Sequence, residues 1–411
     1  MNLLFVHGNF PGQFKDIAPA LAGRSGGRTV FLTLSENRQG IQLPGVETRL
    51  VQLHREINPE VHQYLQATEL AVLKGQAILR ELHRLQTEEA FTPDVVICHG
   101  GMGFGLFVKS FLPQVKLISY MEWYFTKSNG DYLLADFTLD QQLRLETRNL
   151  PILQEMVQAD QIVCPTHWQC QQFPAMVQDK ISVIFDGVDQ DFFRPRPSAN
   201  PLILGQQDGQ SIQFTDDQLL LTYGTRGMEP LRGFPEFMRA AAVAQQHVPE
   251  LHVVVFGNDR AAYSYESPHS SGSWKNYMLE ELNDELDLDR LHFTGLLNYG
   301  ELVQLFCRSD LHCYFTRPYV VSWGVYQAAA CGARLLVNEF PGLDEVFSDG
   351  PEFPPVNLDD QDNVTASVVE LLRRSYSRSN RVSSLAAGLD FASTMDQWFE
   401  LVNALCARSA A

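Results

Sequence analysis

Residues 314–342 read YFTRPYVVSWGVYQAAACGARLLVNEFPG. An apolar strand end, Tyr314-Phe315, runs into a loop carrying Pro318. Ser322 then stands where a helix can start, and an alanine-rich helix follows as far as Cys331-Gly332. The run ARLLVNE is a second strand. A strand, a helix and a strand in succession read as part of an open α/β sheet with parallel strands. In such a unit the free N–H groups of the helix start can take a phosphate. The loop carries no acid, however, and the helix presents Gln327, an uncharged amide.

The same alternation extends in both directions. MNLLFVHG, GRTVFLTL, VETRLVQLH, PDVVICHG, VKLISYMEWY, ADQIVC and KISVIFDG read as strands. Helical stretches lie between them, the longest at about residues 62–87. GFGLFVKSFL also reads as a helix. Residues 190–218 break the rhythm with a run rich in Pro, Gly, Gln and Asp, which marks a boundary holding a small hairpin. Strands LLLTYGTRG, LHVVVFGND, RLHFTGLL, LHCYFT and ARLLVNE then resume it, and ASTMDQWFELVNALCARS closes as an amphipathic helix. The fold class expected is α/β. An N-terminal domain spans 1–190, a second domain spans 191–385, and residues 386–411 form a C-terminal helix.

A chain of 411 residues with 45% hydrophobic content is long enough for two cores. The net charge of −18 disfavours nucleic acid and broad adhesion to anionic lipid, since both carry negative charge. A small anion bound at helix ends and local cations remains compatible with it. The seven cysteines show no C-x-x-C pair and sit mostly in apolar runs, the pattern of reduced, buried thiols without a zinc cluster. MNLLFVHGNFPGQF reads as a strand entering a loop rather than a signal peptide, and no spanning segment is legible. The expectation is a cytoplasmic protein with at most transient membrane contact.

Several strand ends carry chemistry-bearing residues. HGNFPGQF places His7 at a strand end and Gly12 at a helix start, in neither the dinucleotide nor the P-loop spacing. CHGGMGFG offers His99 and Gly101, with His99 either positioning a sugar hydroxyl or capping its strand. In SYMEWYFTKSNGDY, Glu122 stands among Tyr120, Trp123, Tyr124 and Tyr132. That composition suits a carbohydrate acceptor, or equally an aromatic core segment. YGTRGMEPLRGF sets Arg226 and Arg232 on a Gly/Pro loop, where paired guanidiniums fit a diphosphate. FGNDRAAYSYES adds Gly257, Asn258 and Arg260 at another strand end. Ser322, Trp323 and Gly324 open the alanine-rich helix, and Glu345 follows the NEFPG turn.

Taken together, FVHGNFPGQFKDIAPAL, FTPDVVICHGGMG, PTHWQCQQFP, ISVIFDGVDQDFFRP, GFPEFMRA, SGSWK and RPYVVSWGVYQAAACG resemble a bacterial branch of the family 4 retaining glycosyltransferases. The resemblance covers nearly the whole chain. It implies the GT-B fold: two facing Rossmann-like domains with an interdomain cleft, the donor held mainly by the C-terminal one, and the last helix returning to the first. It also implies a nucleotide-diphosphate sugar as donor, no tightly bound cofactor and no obligatory metal. The acceptor would be a saccharide, a lipid-linked molecule or a small molecule.

Position by position, Gly12 falls near the donor phosphates, and Arg226 and Arg232 match the basic pair that grips the diphosphate. The family's paired glutamates are replaced by Tyr319 and Gln327. The resemblance therefore implies transfer with retention at the anomeric carbon. The lost acids leave open the alternative of a weak or non-catalytic descendant that binds nucleotide sugars as a partner subunit.

Overall fold

Strand β1, Leu3–His7, is buried along its whole length, as a central strand of a parallel sheet covered on both faces must be. Its side chains alternate between two layers. Leu3 and Phe5 pack with Phe14, Phe31, Ile97 and Trp398 on one side. Leu4 and Val6 pack with Val30, Val96, Leu82 and Leu85 on the other. This computed structural model describes residues 1–34, 40–197, 200–205, 209–267, 272–374, 378 and 381–407. Parts of the expected boundary run (198–199 and 206–208) and of the polar loop after LHVVVFGND (268–271) lie outside the described residues.

The chain divides into two units: Met1–Gly130 with Phe137–Gly187 and Gly388–Ala411, and Asp131–Asp136 with Val188–Ala387. In the first, β1 is joined by β2 (Thr29–Thr33), β3 (Glu47–Leu50), β4 (Val95–His99), β5 (Lys116–Tyr120), β6 (Gln161–Cys164) and β7 (Ile181–Val183). Their order is β3-β2-β1-β4-β5-β6-β7, and every pairing is parallel. The order reverses between β1 and β4, the topological switch point where such sheets bind ligands. Helix Gln66–Glu89 covers one face. Helix Phe391–Ala407, from the far end of the sequence, covers the other through Met395, Trp398 and Val402.

In the second unit an antiparallel hairpin, β8 (Leu202–Gly205) and β9 (Ser211–Phe214), precedes the main sheet. That sheet holds β10 (Leu219–Gly227), β11 (Leu251–Asn258), β12 (Leu291–Gly295), β13 (Leu311–Tyr314) and β14 (Leu335–Val337) in the order β12-β11-β10-β13-β14. All its pairings are parallel, and its switch point lies between β10 and β13. Helices are placed by local chemistry: Asn298 and Glu301 form a capping box for Tyr299–Arg308, and the Ser322 hydroxyl caps Trp323–Ala330.

One local expectation is corrected, and one helix is added. GFGLFVKSFL is not one helix, because only Val108–Phe111 is α-helical. Gly101 and Gly103 before it have φ of +80° and +97°, and a Cβ on Gly103 would lie 2.1 Å from the Ala71 carbonyl oxygen. The segment is a close-packed glycine loop. Helix Gln361–Arg373 has no counterpart in the sequence reading; its Val364, Val368 and Leu371 join the core formed by helix Phe234–His247. Among the described residues, no helix is long and apolar enough to cross a membrane.

Trp398 is fully buried in the first unit, so Trp398→Ala is expected to destabilise that unit by about 3–5 kcal/mol. Urea unfolding followed by circular dichroism checks this. A midpoint equal to the parent's would show that the helix is not part of the unit's core.

Candidate active site

At the switch point of the first unit, His7 ends β1 and His99 ends β4, with ring centroids 4.4 Å apart. The Asn9 amide donates to His7 Nδ1 at 2.9 Å, which puts the proton on Nε2, 2.7 Å from Gln13 Oε1. Gln13 Nε2 in turn donates to Glu122 Oε1 at 3.0 Å. His99 Nε2 reaches Glu122 Oε2 at 3.1 Å, and Gln169 Nε2 holds the Glu122 backbone carbonyl at 2.9 Å. Gly12 permits this closeness: its φ is +55°, and a Cβ there would lie 2.5 Å from His7 Nε2. Gly12 is thus fitted against an imidazole.

The network fixes protonation. Burial, then the neighbouring His99, lower the His7 pKa to about 3. Burial disfavours the Glu122 carboxylate, yet the hydrogen bonds from His99 and Gln13 outweigh it and hold its pKa below the usual range. His99 Nδ1 is buried with no hydrogen-bond partner among the described residues. Trp123 is buried and Tyr124 is half-buried, the Tyr124 ring lying 6.3 Å from Phe173.

Glu155, absent from the sequence reading, sets the loop after His99. It is fully buried on helix Leu139–Gln158 and accepts the amides of Gly101 and Gly105. Burial raises its pKa to about 7 against the opposing effect of those amides. A mid-helix glutamate gives no sign in sequence that it faces inward.

In the second unit, Arg226 lies at the end of β10 and Arg232 in the turn Pro230–Arg232. Arg232 is buried, and its Nη1 donates to Thr316 Oγ1 at 2.8 Å and to the Val320 carbonyl at 3.0 Å. Tyr263 joins the two arginines. The Arg226 and Arg232 guanidinium carbons lie 5.8 and 5.3 Å from its ring centre, and Arg226 Nη1 donates to its hydroxyl at 3.1 Å. The Tyr319 ring is 5.6 Å from the Tyr263 ring and 6.0 Å from the Arg232 guanidinium carbon.

The helix start differs from expectation in detail. The Ser322 amide donates to Tyr314 Oη at 2.9 Å, and the Gly324 amide to Ser322 Oγ at 3.1 Å, so both donors already have partners. Trp323 is exposed. Gln327 is half-buried, one turn further along the helix. Gly257 and Asn258 end β11, followed by exposed Arg260. Gly257 has φ of +120°, and a Cβ would lie 1.8 Å from the Thr225 carbonyl oxygen. Glu345 is half-buried just beyond the turn Pro341–Leu343.

Residues 25–193 match the family model described as glycosyl transferase family 4 group. Residues 232–397 match one described as glycosyl transferase-like. This chain belongs to the family 4 group of glycosyltransferases. No curated protein matches it in sequence. This glycosyltransferase is similar in structure to Anabaena HepE in complex with UDP and glucose, with a TM-score of 0.62, 14% identity, and coverage of 98% of this chain and 100% of that one. It is also similar to sucrose-phosphate synthase from Thermosynechococcus elongatus, with a TM-score of 0.62, 14% identity and coverage of 99% and 100%. A third likeness is to the structure of trehalose-6-phosphate from E. coli bound with UDP-2-fluoro glucose, with a TM-score of 0.63, 12% identity and coverage of 99% and 99%. At these identities the likeness establishes the GT-B fold of two Rossmann-like domains.

The geometry of this glycosyltransferase thus groups its candidate residues by unit. His7, Gly12, His99 and Glu122 form one connected set with Gln13. Arg226, Arg232 and Tyr319 form another around Tyr263. Gln13 and Tyr263 have no place in the sequence reading, although Gln13 directly follows Gly12 and Tyr263 lies three residues after Arg260.

Because its folded pKa lies below the ordinary value of 6.5, His7 contributes stability above pH about 6.5 that is lost as pH falls toward about 3. NMR titration of the His7 ring should show no change in protonation between pH 8 and pH 5. A midpoint near 6.5 would contradict the buried, neutral assignment.

Proposed function

We propose that this glycosyltransferase moves a sugar from a nucleotide-diphosphate donor to an acceptor with retention at the anomeric carbon. The observation that carries this reading is Arg232. Among the described residues its guanidinium is held by Thr316 and Val320 through Nη1 alone, which leaves its other nitrogens for a ligand's oxygens, with Arg226 close by on the same tyrosine. A fixed guanidinium pair neutralises a departing diphosphate without reorganising. Such neutralisation from protein groups makes metal dispensable for donor binding.

In this reading the donor belongs to the second unit, with Gly257, Asn258, Arg260, Ser322, Trp323, Gly324 and Glu345 as its surroundings. The partnered amides of Ser322 and Gly324 meet the distal phosphate only by exchanging their present hydrogen bonds. Gln327 offers its amide to a sugar or ribose hydroxyl, and Tyr319 offers a ring face. His7, Gly101, His99, Glu122, Trp123 and Tyr124 address the acceptor, with the ionised Glu122 orienting a hydroxyl. Two similar structures are complexes with UDP or UDP-2-fluoro glucose, which makes UDP the first nucleotide to try. The acceptor is a saccharide, a lipid-linked molecule or a small molecule, met in the cytoplasm or transiently at a membrane.

A second reading, a nucleotide-sugar-binding partner without turnover, is favoured by Tyr319 and Gln327 alone, since neither can carry the negative charge of the glutamates they replace.

Calorimetric titration with UDP, GDP and ADP, with and without EDTA, tests the donor site. At least one should bind, unaffected by chelation, and Arg232→Ala should weaken it about tenfold or more. No binding by any of them would remove the donor site. Strict dependence on metal would defeat the metal-free form. A second titration separates the roles of Gln327. If its amide contacts the sugar, Gln327→Ala weakens the intact nucleotide sugar far more than the diphosphate. If it contacts ribose, both weaken alike, and unchanged binding of both excludes either contact.

A further inference from the structure

Glu229, between Arg226 and Arg232, is fully buried. Its Oε2 accepts the amides of Ala262, Tyr263 and Ser264 at 2.8, 3.0 and 3.0 Å, and the Ser264 hydroxyl at 3.1 Å. Three successive amides converging on one oxygen form the backbone concavity that binds anions. Here it is filled by a carboxylate of the same chain. The second oxygen, Oε1, is buried without a hydrogen-bond partner among the described residues. Burying a carboxylate half-satisfied is unfavourable, so packing alone does not account for glutamate at this position.

What the contact secures is the residue at the centre of the three amides. Tyr263 is 38% exposed, yet its backbone is clamped from beneath. Its ring is within reach of both guanidiniums, 5.8 Å from that of Arg226 and 5.3 Å from that of Arg232. Two like charges near one site repel. The negative face of an aromatic ring offsets part of that repulsion, and the hydroxyl adds a hydrogen bond to Arg226.

We propose that Tyr263 is the positioning residue that gathers Arg226 and Arg232 into one diphosphate-binding pair, and that Glu229 locks Tyr263 in place by filling the amide concavity. The pair then selects ligands with two adjacent phosphoryl groups over those with one. This rests on the donor reading above and goes beyond it, since it assigns the selectivity to two residues that act through the arginine pair.

The test compares UDP, UMP and inorganic pyrophosphate by calorimetry on the full chain. Tyr263→Ala should weaken UDP and pyrophosphate about tenfold while changing UMP by no more than about twofold, with the melting temperature unchanged. Tyr263→Phe keeps the ring and should lose about threefold for UDP. Glu229→Gln should give the same selective loss, with faster hydrogen exchange at residues 262–264. Equal weakening of UMP and UDP by Tyr263→Ala, or weakening of neither, would overturn the proposal while leaving the donor reading intact. Failure of the parent chain to bind UDP, GDP, ADP or pyrophosphate would overturn both. The Tyr263 variants carry the test if Glu229→Gln does not fold.

Discussion

A parallel strand covered on both faces can show chemistry to solvent only at its ends. Both sheets here obey that constraint, and everything else in the molecule follows from where the strand order reverses. In the first unit the reversal brings the ends of β1 and β4 side by side, which is why two histidines ninety-two residues apart stand with rings 4.4 Å apart. In the second it brings the end of β10 beside the end of β13, so Arg232 finds Thr316 as a partner across the gap. The crossing connections determine which residues can cooperate, before any side chain is chosen.

The two sites solve opposite electrostatic problems. In the first unit a half-buried carboxylate must stay ionised while partly desolvated. It does so through two donors, His99 Nε2 and Gln13 Nε2, with the neutral His7 ring holding Gln13 in turn. In the second unit two cations must stand close together. Aromatic rings flank Arg232, at 5.3 and 6.0 Å from its guanidinium carbon. A chain with a net charge of −18 thus still presents a local cationic pair. That arrangement suits a small anionic ligand and disfavours a polyanion.

The alternating apolar runs made the α/β class legible, because a parallel strand buried on both faces leaves an uninterrupted hydrophobic string such as LLFV or VVIC. The guanidinium pair was legible too, as Arg226 and Arg232 lie on one short loop. Glu155 and Glu229 were not. Each is a buried carboxylate whose partners are backbone amides from a distant segment, and an amide leaves no letter in the sequence. Helix Gln361–Arg373, by contrast, was legible and went unread: Val364, Val368, Leu371 and Leu372 stand at i, i+4, i+7 and i+8 behind Asp360 as the helix cap. The stretch from Gly103 to Phe107 reads as helix in the sequence because the reason for its glycine, close passage against Ala71, depends on a tertiary neighbour.

The central claim is that this arrangement turns over a nucleotide sugar, and the most direct measurement is transfer of a radiolabelled sugar from its UDP, GDP or ADP conjugate. The purified chain would be incubated with cell extract as acceptor source, with water alone as control, and the anomeric configuration of the product read by NMR. The account predicts sustained product formation from one conjugate, with the donor's configuration retained. Donor binding without any transfer to extract or water, under conditions where the nucleotide diphosphate binds, would contradict it and leave a binding protein in the shape of an enzyme.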